Sequence, residues 1–309
     1  MSISSISTLG LIAGQGRFPF EVARAARSRG IKVVIAALHG CADAAIAESS
    51  ECTDDLEWLY LGEVERLISF FQNAGVQGVV VAGKVPKTNL YGDPTPLRLD
   101  GLALKLLAEM ENREDDSIML ILAKCLESEG LQLYSQVELV PDLLAGEGLL
   151  GAVEPTPEQL RDVAFGLPLA KAIGGLDIGQ TLVVGNTAVL AVEAIEGTDE
   201  AIRRGGRLGP GCAVVVKVAK PDQDMRFDVP AVGPDTVRVL VESGVSLLAI
   251  EAGKTLLFEQ DEMIRLADEA GIAVMGIGSA FEPDQFVSEP FASSPSVSDP
   301  SVSDQEAGK

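Results

Sequence analysis

The sequence predicts an α/β protein with an N-terminal parallel-sheet domain followed by a second α/β domain. Three observations carry that expectation. Apolar residues make up 47% of the 309 positions while aromatics supply only 5%, so buried strands are filled by Val, Ala, Leu and Ile. Short apolar runs alternate with helix-like segments that close on glycine, the pattern of βαβ units. The length suffices for two separate cores.

The first half reads in order as follows. Residues 9–13 form an apolar strand, Gly14-Gln15-Gly16 a turn, and residues 19–29 a helix closed by Gly30. A second buried strand spans 33–38. Residues 63–73 form a helix stopped by Gly75, and 78–82 a third strand ending in Gly83-Lys84. This succession is Rossmann-like. Residues 102–107 and 117–129 read as helices, the second closed by Gly130, and a stretch beginning at Val137 breaks at Pro141. Gly146, Gly148, Gly151, Pro155 and Pro157 then mark a connection.

Thr156 is placed to cap a helix starting at Pro157, since proline suits a first helical position. Strands follow near 181–184, 189–193 and 213–218, and Asp199 opens a helix. A helix from Gly233-Pro234 runs to about Ser243 with Gly244 just past its end. Strand 247–250, helix 262–270 and strand 273–277 complete this half. The expected division is 1–145, a linker at 146–157, a catalytic domain at 158–280 and a tail at 281–309. In the tail Pro-Ser-Val-Ser-Asp occurs twice, a composition unable to bury enough apolar area to order the chain.

A formal charge of −22 excludes nucleic acid as a partner, because such binding needs a basic footprint. Cys41, Cys52, Cys125 and Cys212 show no CxxC pair and read as free thiols of a reducing compartment. No signal segment opens the chain and no run approaches ~18 apolar residues, so a cytoplasmic protein is expected. With His39 the single histidine, imidazole-rich metal sites and His-dependent nucleophiles are excluded. A metal here would be a hard, oxygen-ligated cation such as Mg²⁺, for which Mn²⁺ can substitute.

The charged motifs carry the chemistry. Lys-Pro-Asp-Gln-Asp-Met-Arg-Phe-Asp-Val-Pro at 220–230 puts Asp224, Arg226 and Asp228 on one face if extended. Arg226 could then hold a phosphate beside carboxylates that bind metal or activate water. The alternative is a solvated edge strand of cross-paired charges. Gly14 and Gly16 could contact a phosphate at a helix N-terminus, or form a plain tight turn. A nicotinamide fingerprint is broken by Pro19 and by His39-Gly40 where an acidic strand end belongs. Lys84 ends a strand where open sheets bind ligands, or is a solvated loop lysine. Asp177 and Gln180 precede a strand. Glu193 and Glu196 lie among apolar residues, where an unpaired carboxylate is costly; they are functional, or ion-paired with Lys217 or Arg226.

Taken together, Leu-Gly-Leu-Ile-Ala-Gly-Gln-Gly near the start, Leu-Asp-Ile-Gly-Gln at 176–180, Val-Leu-Ala-Val-Glu-Ala-Ile-Glu-Gly-Thr-Asp at 189–199, the 220–230 motif with Gly-Pro-Asp-Thr, and Glu-Ala-Gly at 251–253 resemble one family, the LpxI-type UDP-2,3-diacylglucosamine pyrophosphatases of lipid A biosynthesis. The likeness covers roughly residues 8 to 278. It implies a Mg²⁺-dependent hydrolase in which water attacks the uridine-side phosphorus, giving UMP and 2,3-diacylglucosamine 1-phosphate. It also implies an active site in the cleft between two domains, a homodimer, and peripheral contact with the inner membrane. By motif the essential aspartate is Asp228. Under this resemblance Asp224 and Arg226 join it in catalysis, and Glu193, Glu196 and Asp224 are further metal ligands. Gly14, Gly16, Lys84, Asp177, Gln180, Thr198 and Lys220 become the substrate-binding set. The rival reading is a non-catalytic nucleotide-sugar or lipid-binding regulator.

Overall fold

The computed structural model describes residues 3–49, 51–85, 97–109, 115–221, 223–227, 229–278 and 281. Its first half contains β1 (Thr8–Ala13), α1 (Phe18–Ser28), β2 (Lys32–Leu38), α2 (Ala45–Glu48), β3 (Asp55–Leu59), α3 (Val64–Asn73), β4 (Gly78–Ala82), α4 (Gly101–Ala108), α5 (Asp115–Ser128) and β5 (Gln132–Leu133). The strands form one sheet in the order β3-β2-β1-β4-β5, parallel throughout. Every residue of β1, and of β2 after Lys32, is buried, which is why these two read as continuous apolar runs. The sequence expectation passes over β3. It is an edge strand whose Asp55 faces out and whose Glu57 binds Arg66, so it lacks the apolar run that betrays a central strand.

The second half contains β6 (Gly148–Leu149), α6 (Pro157–Gly175), β7 (Thr181–Gly185), β8 (Ala188–Val192), α7 (Thr198–Leu208), β9 (Val214–Lys217), β10 (Ala231–Val232), α8 (Pro234–Ser243), β11 (Leu247–Glu251), β12 (Leu256–Leu257), α9 (Gln260–Glu269) and β13 (Ala273–Ile277). A mixed sheet runs β6-β13-β11-β9-β7-β8, with β13, β11 and β9 parallel and β7 antiparallel to both its neighbours. Residues 146–157, expected as a connection, contribute β6, which pairs antiparallel with β13.

Local signals account for the helix ends. The Thr156 hydroxyl accepts from the Gln159 N–H, and the Gln159 side chain accepts from the Thr156 N–H in return, a capping box that opens α6. Gly244 ends α8 at φ +65°, in the left-handed region that glycine enters without strain.

The β7–β8 turn places Asn186 and Thr187 at φ +51° and +56°, a conformation unfavourable for a β-branched residue. Asp162, 4% exposed on α6, offsets this by accepting from both backbone N–H groups, at 3.0 and 2.6 Å. Asp162→Ala should therefore lower unfolding stability by about 2 kcal/mol, the scale for orphaned donors, measured by chemical denaturation. A midpoint and slope equal to wild type would refute this account of the turn.

Segments of the second half reach the first. Phe227, 2% exposed, sits among the core residues beneath α3 and α5, and Leu256 with Phe258 packs against the α1 side, where the Phe18 and Phe258 rings lie 5.3 Å apart. The loop after β9 is thus anchored on the N-terminal sheet as well as on its own.

Candidate active site at the carboxyl ends of the second sheet

Strand register brings the charged groups to one edge. Lys217 ends β9, opposite Thr181 of β7 and Ile250 of β11, and Glu251 ends β11 one residue further on. Glu193 follows β8, its N–H donating to the Thr181 carbonyl at 2.9 Å. Three strands therefore deliver Glu193, Lys217 and Glu251 to the carboxyl end of the parallel strands, the end at which open α/β sheets bind ligands.

Glu193 and Lys217, 8% and 5% exposed, share a network. The Lys217 ammonium donates to the Thr198 hydroxyl at 3.0 Å and to the Thr181 hydroxyl at 3.4 Å. The Thr198 hydroxyl in turn donates to Glu193 Oε1 at 2.8 Å, and the Gln180 N–H reaches Glu193 Oε2 at 3.3 Å. Burial pushes the Glu193 carboxyl up, but the Lys217 charge, the Thr181 and Thr198 hydroxyls and the Gln180 N–H outweigh it and hold it below its ordinary value. Gln180 Oε1 is buried without a hydrogen-bond partner, an acceptor that a donor on a ligand would satisfy. Gly179 leaves room for this arrangement: a Cβ there would stand 2.2 Å from the Glu193 carbonyl oxygen.

The other predicted residues fall as follows. Lys220 Nζ lies 2.6 Å from Asp177 Oδ1. Glu196 is held by Arg204 at 2.5 Å, away from Lys217. Residues 220–230 are not an extended strand: 225–227 form a turn and bend. Asp224 Oδ1 accepts from the Arg226 N–H, and its carboxylate takes the Arg226 guanidinium in bidentate fashion at 3.0 and 2.7 Å. The alternating face expected of 224 and 226 is thereby replaced by a closed pair, because the buried Phe227 and this side-chain turn bend the chain. Arg226 also reaches Glu127 at 3.1 Å. The hydrogen bonds from Arg226, together with its charge, hold the Asp224 carboxyl below its usual range despite partial burial. Asp228, the residue on which the sequence reading leans most, lies outside the described residues.

On the N-terminal sheet, Gly14 donates its N–H to the Ala82 carbonyl, and Gln15 and Lys84 exchange backbone hydrogen bonds at 2.7 and 3.0 Å. A Cβ at Gly14 would meet the Lys84 carbonyl oxygen at 2.7 Å, so close passage of two loops explains this glycine without a ligand. Gly16 is different, at φ +98° with open space around it, and Lys84 is exposed. His39 closes β2, with its ring 4.3 Å from Tyr60.

Each described carboxylate of the expected metal set thus answers to its own cation: Glu193 to Lys217, Glu196 to Arg204, Asp224 to Arg226. Among the described residues no group of three His, Cys, Asp or Glu is disposed to hold a metal. The sequence reading quoted Glu251 only within the Glu-Ala-Gly motif, without a role, and missed its partner Lys171. The signal was present, a carboxylate closing an apolar strand as Glu193 does, but the lysine 80 positions away has no local mark.

The LpxI N-terminal domain description matches residues 8–143, and the LpxI C-terminal domain description matches residues 146–275. A Caulobacter vibrioides protein named UDP-2,3-diacylglucosamine pyrophosphatase LpxI is 31% identical over 286 residues, 89% of this chain and 99% of the relative. Two solved structures show faint likeness. One is a Rhizobium etli pyruvate carboxylase at 12% identity, covering 63% of this chain and 17% of that one, with TM-score 0.25. Another is a Hydrogenobacter thermophilus 2-oxoglutarate carboxylase biotin carboxylase domain at 14%, 64% and 40%, with TM-score 0.24. This chain spans less than half of either, and at those scores the likeness carries no argument.

Proposed function

The chain belongs to the LpxI family, and from that premise we propose that it hydrolyses the diphosphate of UDP-2,3-diacylglucosamine to UMP and 2,3-diacylglucosamine 1-phosphate. The supporting observation is the relative of that name, 31% identical and aligned over 99% of its own length and 89% of this chain. Water adds to the uridine-side phosphorus, and the bond to the bridging oxygen breaks. The sugar 1-phosphate leaves with that oxygen, and the proton lost by the water passes to a carboxylate or to solvent. Asp228 orients or activates the water. Lys220 exchanges Asp177, and Arg226 exchanges Glu127, for diphosphate oxygens when substrate enters, while the bidentate Asp224 pair keeps the guanidinium in place. Lys217, Thr198 and Gln180 border the same edge.

Mg²⁺, for which Mn²⁺ can stand in, would neutralise the developing charge on the diphosphate. Since Glu193, Glu196 and Asp224 each have a cation already, the protein's share of such a site falls to Asp228. Mg²⁺ commonly takes one or two carboxylates and completes its shell with substrate phosphate and water. Homodimer formation is part of the proposal, as is contact with the cytoplasmic face of a membrane; no helix among the described residues is long and apolar enough to cross one.

The expected result is Mg²⁺-dependent release of UMP from the lipid-linked UDP-sugar, abolished by EDTA and restored by added Mg²⁺ or Mn²⁺. The pairing of every described candidate carboxylate with a cation favours one rival, a binder of the same nucleotide sugar that does not turn it over. Binding without UMP release under any divalent ion would establish that rival and end the hydrolase reading.

A further inference from the structure

Glu251 closes β11, the strand between β13 and β9, and is 6% exposed. Its Oε2 accepts from the Ala219 N–H at 2.9 Å and from the Lys171 ammonium at 2.5 Å, and Lys254 lies 3.0 Å from Oε1. Lys171, projecting from α6, also donates to the Ala219 carbonyl at 2.9 Å. One ion pair therefore grips both backbone polar groups of a single residue, the second after β9. Those two groups have to find partners wherever the loop goes, and here the partners are side chains from two other elements.

The loop so gripped leads through Lys220, Asp224 and Arg226 to Asp228. Its far part is pinned elsewhere: the Ser135 hydroxyl donates to the Met225 carbonyl at 2.6 Å, and Phe227 is buried in the N-terminal core. In between, the Lys220 N–H meets Gln223 Oε1 at 3.3 Å and the Gln223 N–H meets the Lys220 carbonyl at 3.1 Å. The stretch carrying the charged motif is thus suspended between an anchor on the second sheet and one on the first. Pure stability is a weak reason to keep an ion pair at the second-sheet anchor, because apolar replacements of buried pairs are often neutral or better. Holding a loop in one conformation is a stronger reason.

We propose that Lys171 and Glu251 are positioning residues that set the 218–227 loop, and with it Asp224 and Arg226, at the geometry needed for turnover; this rests on the hydrolase reading. The test measures kcat, KM, melting temperature and backbone hydrogen exchange for Lys171→Met, Glu251→Gln and Lys171→Arg, with kinetics taken well below each melting point. Lys171→Met and Glu251→Gln should lower kcat about 10- to 100-fold, the scale of a misplacement of about 1 Å. In both variants KM should move far less, and exchange across 218–227 should rise while β11 keeps its protection. Lys171→Arg, which keeps the charge and can still reach both partners, should recover most of kcat.

Unchanged exchange across 218–227 overturns the proposal, as does a fall in melting temperature with kcat intact. Lack of UMP release by the wild-type protein is a different failure: it removes the hydrolase reading and the catalytic half of this inference, whereas the exchange data still report whether the pair orders the loop.

Discussion

Replacing Asp228 by Ala is expected to lower turnover by roughly 10²- to 10³-fold, the range for loss of one electrostatic catalytic group, with the melting temperature close to wild type. The residue lies in the motif to which the proposed function gives the diphosphate, two positions beyond Arg226 and four beyond Asp224. Both of those are already committed: Asp224 to the bidentate pair and to the Arg226 N–H, and Arg226 also to Glu127. Under the proposed function Asp228 is then the carboxylate of this motif assigned to orient the water and to meet any divalent cation. Asp228→Asn retains the shape and removes the charge, so it should fall nearly as far as Asp228→Ala. Near-wild-type UMP release by either variant would reject the assignment and shift attention to Asp224.

Lys217→Met is expected to have the largest effect on stability. It leaves the Glu193 carboxylate buried without its cation, and breaking one partner of a buried pair typically destabilises by about 3–5 kcal/mol. For a chain of this size that is a fall in melting temperature of roughly 10 °C. Glu193→Gln strands the ammonium instead and should also be damaging. The double variant Lys217→Met/Glu193→Leu should recover much of the loss, since neither charge then remains in the core. Single variants that simply add in the double variant would show that the two groups are not coupled.

The same pair should leave a pH signature. Glu193 is held below its ordinary value of 4.5 in the folded state, with burial opposing and Lys217 and the hydrogen bonds prevailing. Its contribution is therefore fully present above pH 4.5 and is lost as the pH falls through the depressed folded-state value. Wild type should lose stability in that acid window more steeply than Glu193→Gln, a comparison made by denaturant titration at successive pH values. Parallel curves would contradict the pairing.

Much of the architecture can be read from neighbouring residues alone. Apolar runs with glycine stops determine β1, β2, β4, β11 and β13. Thr156, Pro157 and Gln159 determine the start of α6, and Gly244 the end of α8. The absence of CxxC spacing agrees with four free thiols. These signals act within a few residues, because caps, turns and side-chain period are local properties of the backbone. The family motifs were legible too, as ordered strings of residues.

Tertiary structure decided everything that depends on which distant group stands opposite. It added β3, an edge strand that the adjacent β2 recruits through backbone hydrogen bonds rather than apolar content. It turned Asp224 toward Arg226 by burying Phe227. It joined Glu193 to Lys217, 24 positions on, and Glu251 to Lys171, 80 positions back. A charged side chain in a sequence carries no mark of its counter-ion. The pairing is chosen by strand register and burial, where leaving either charge alone costs more than bringing the chain together.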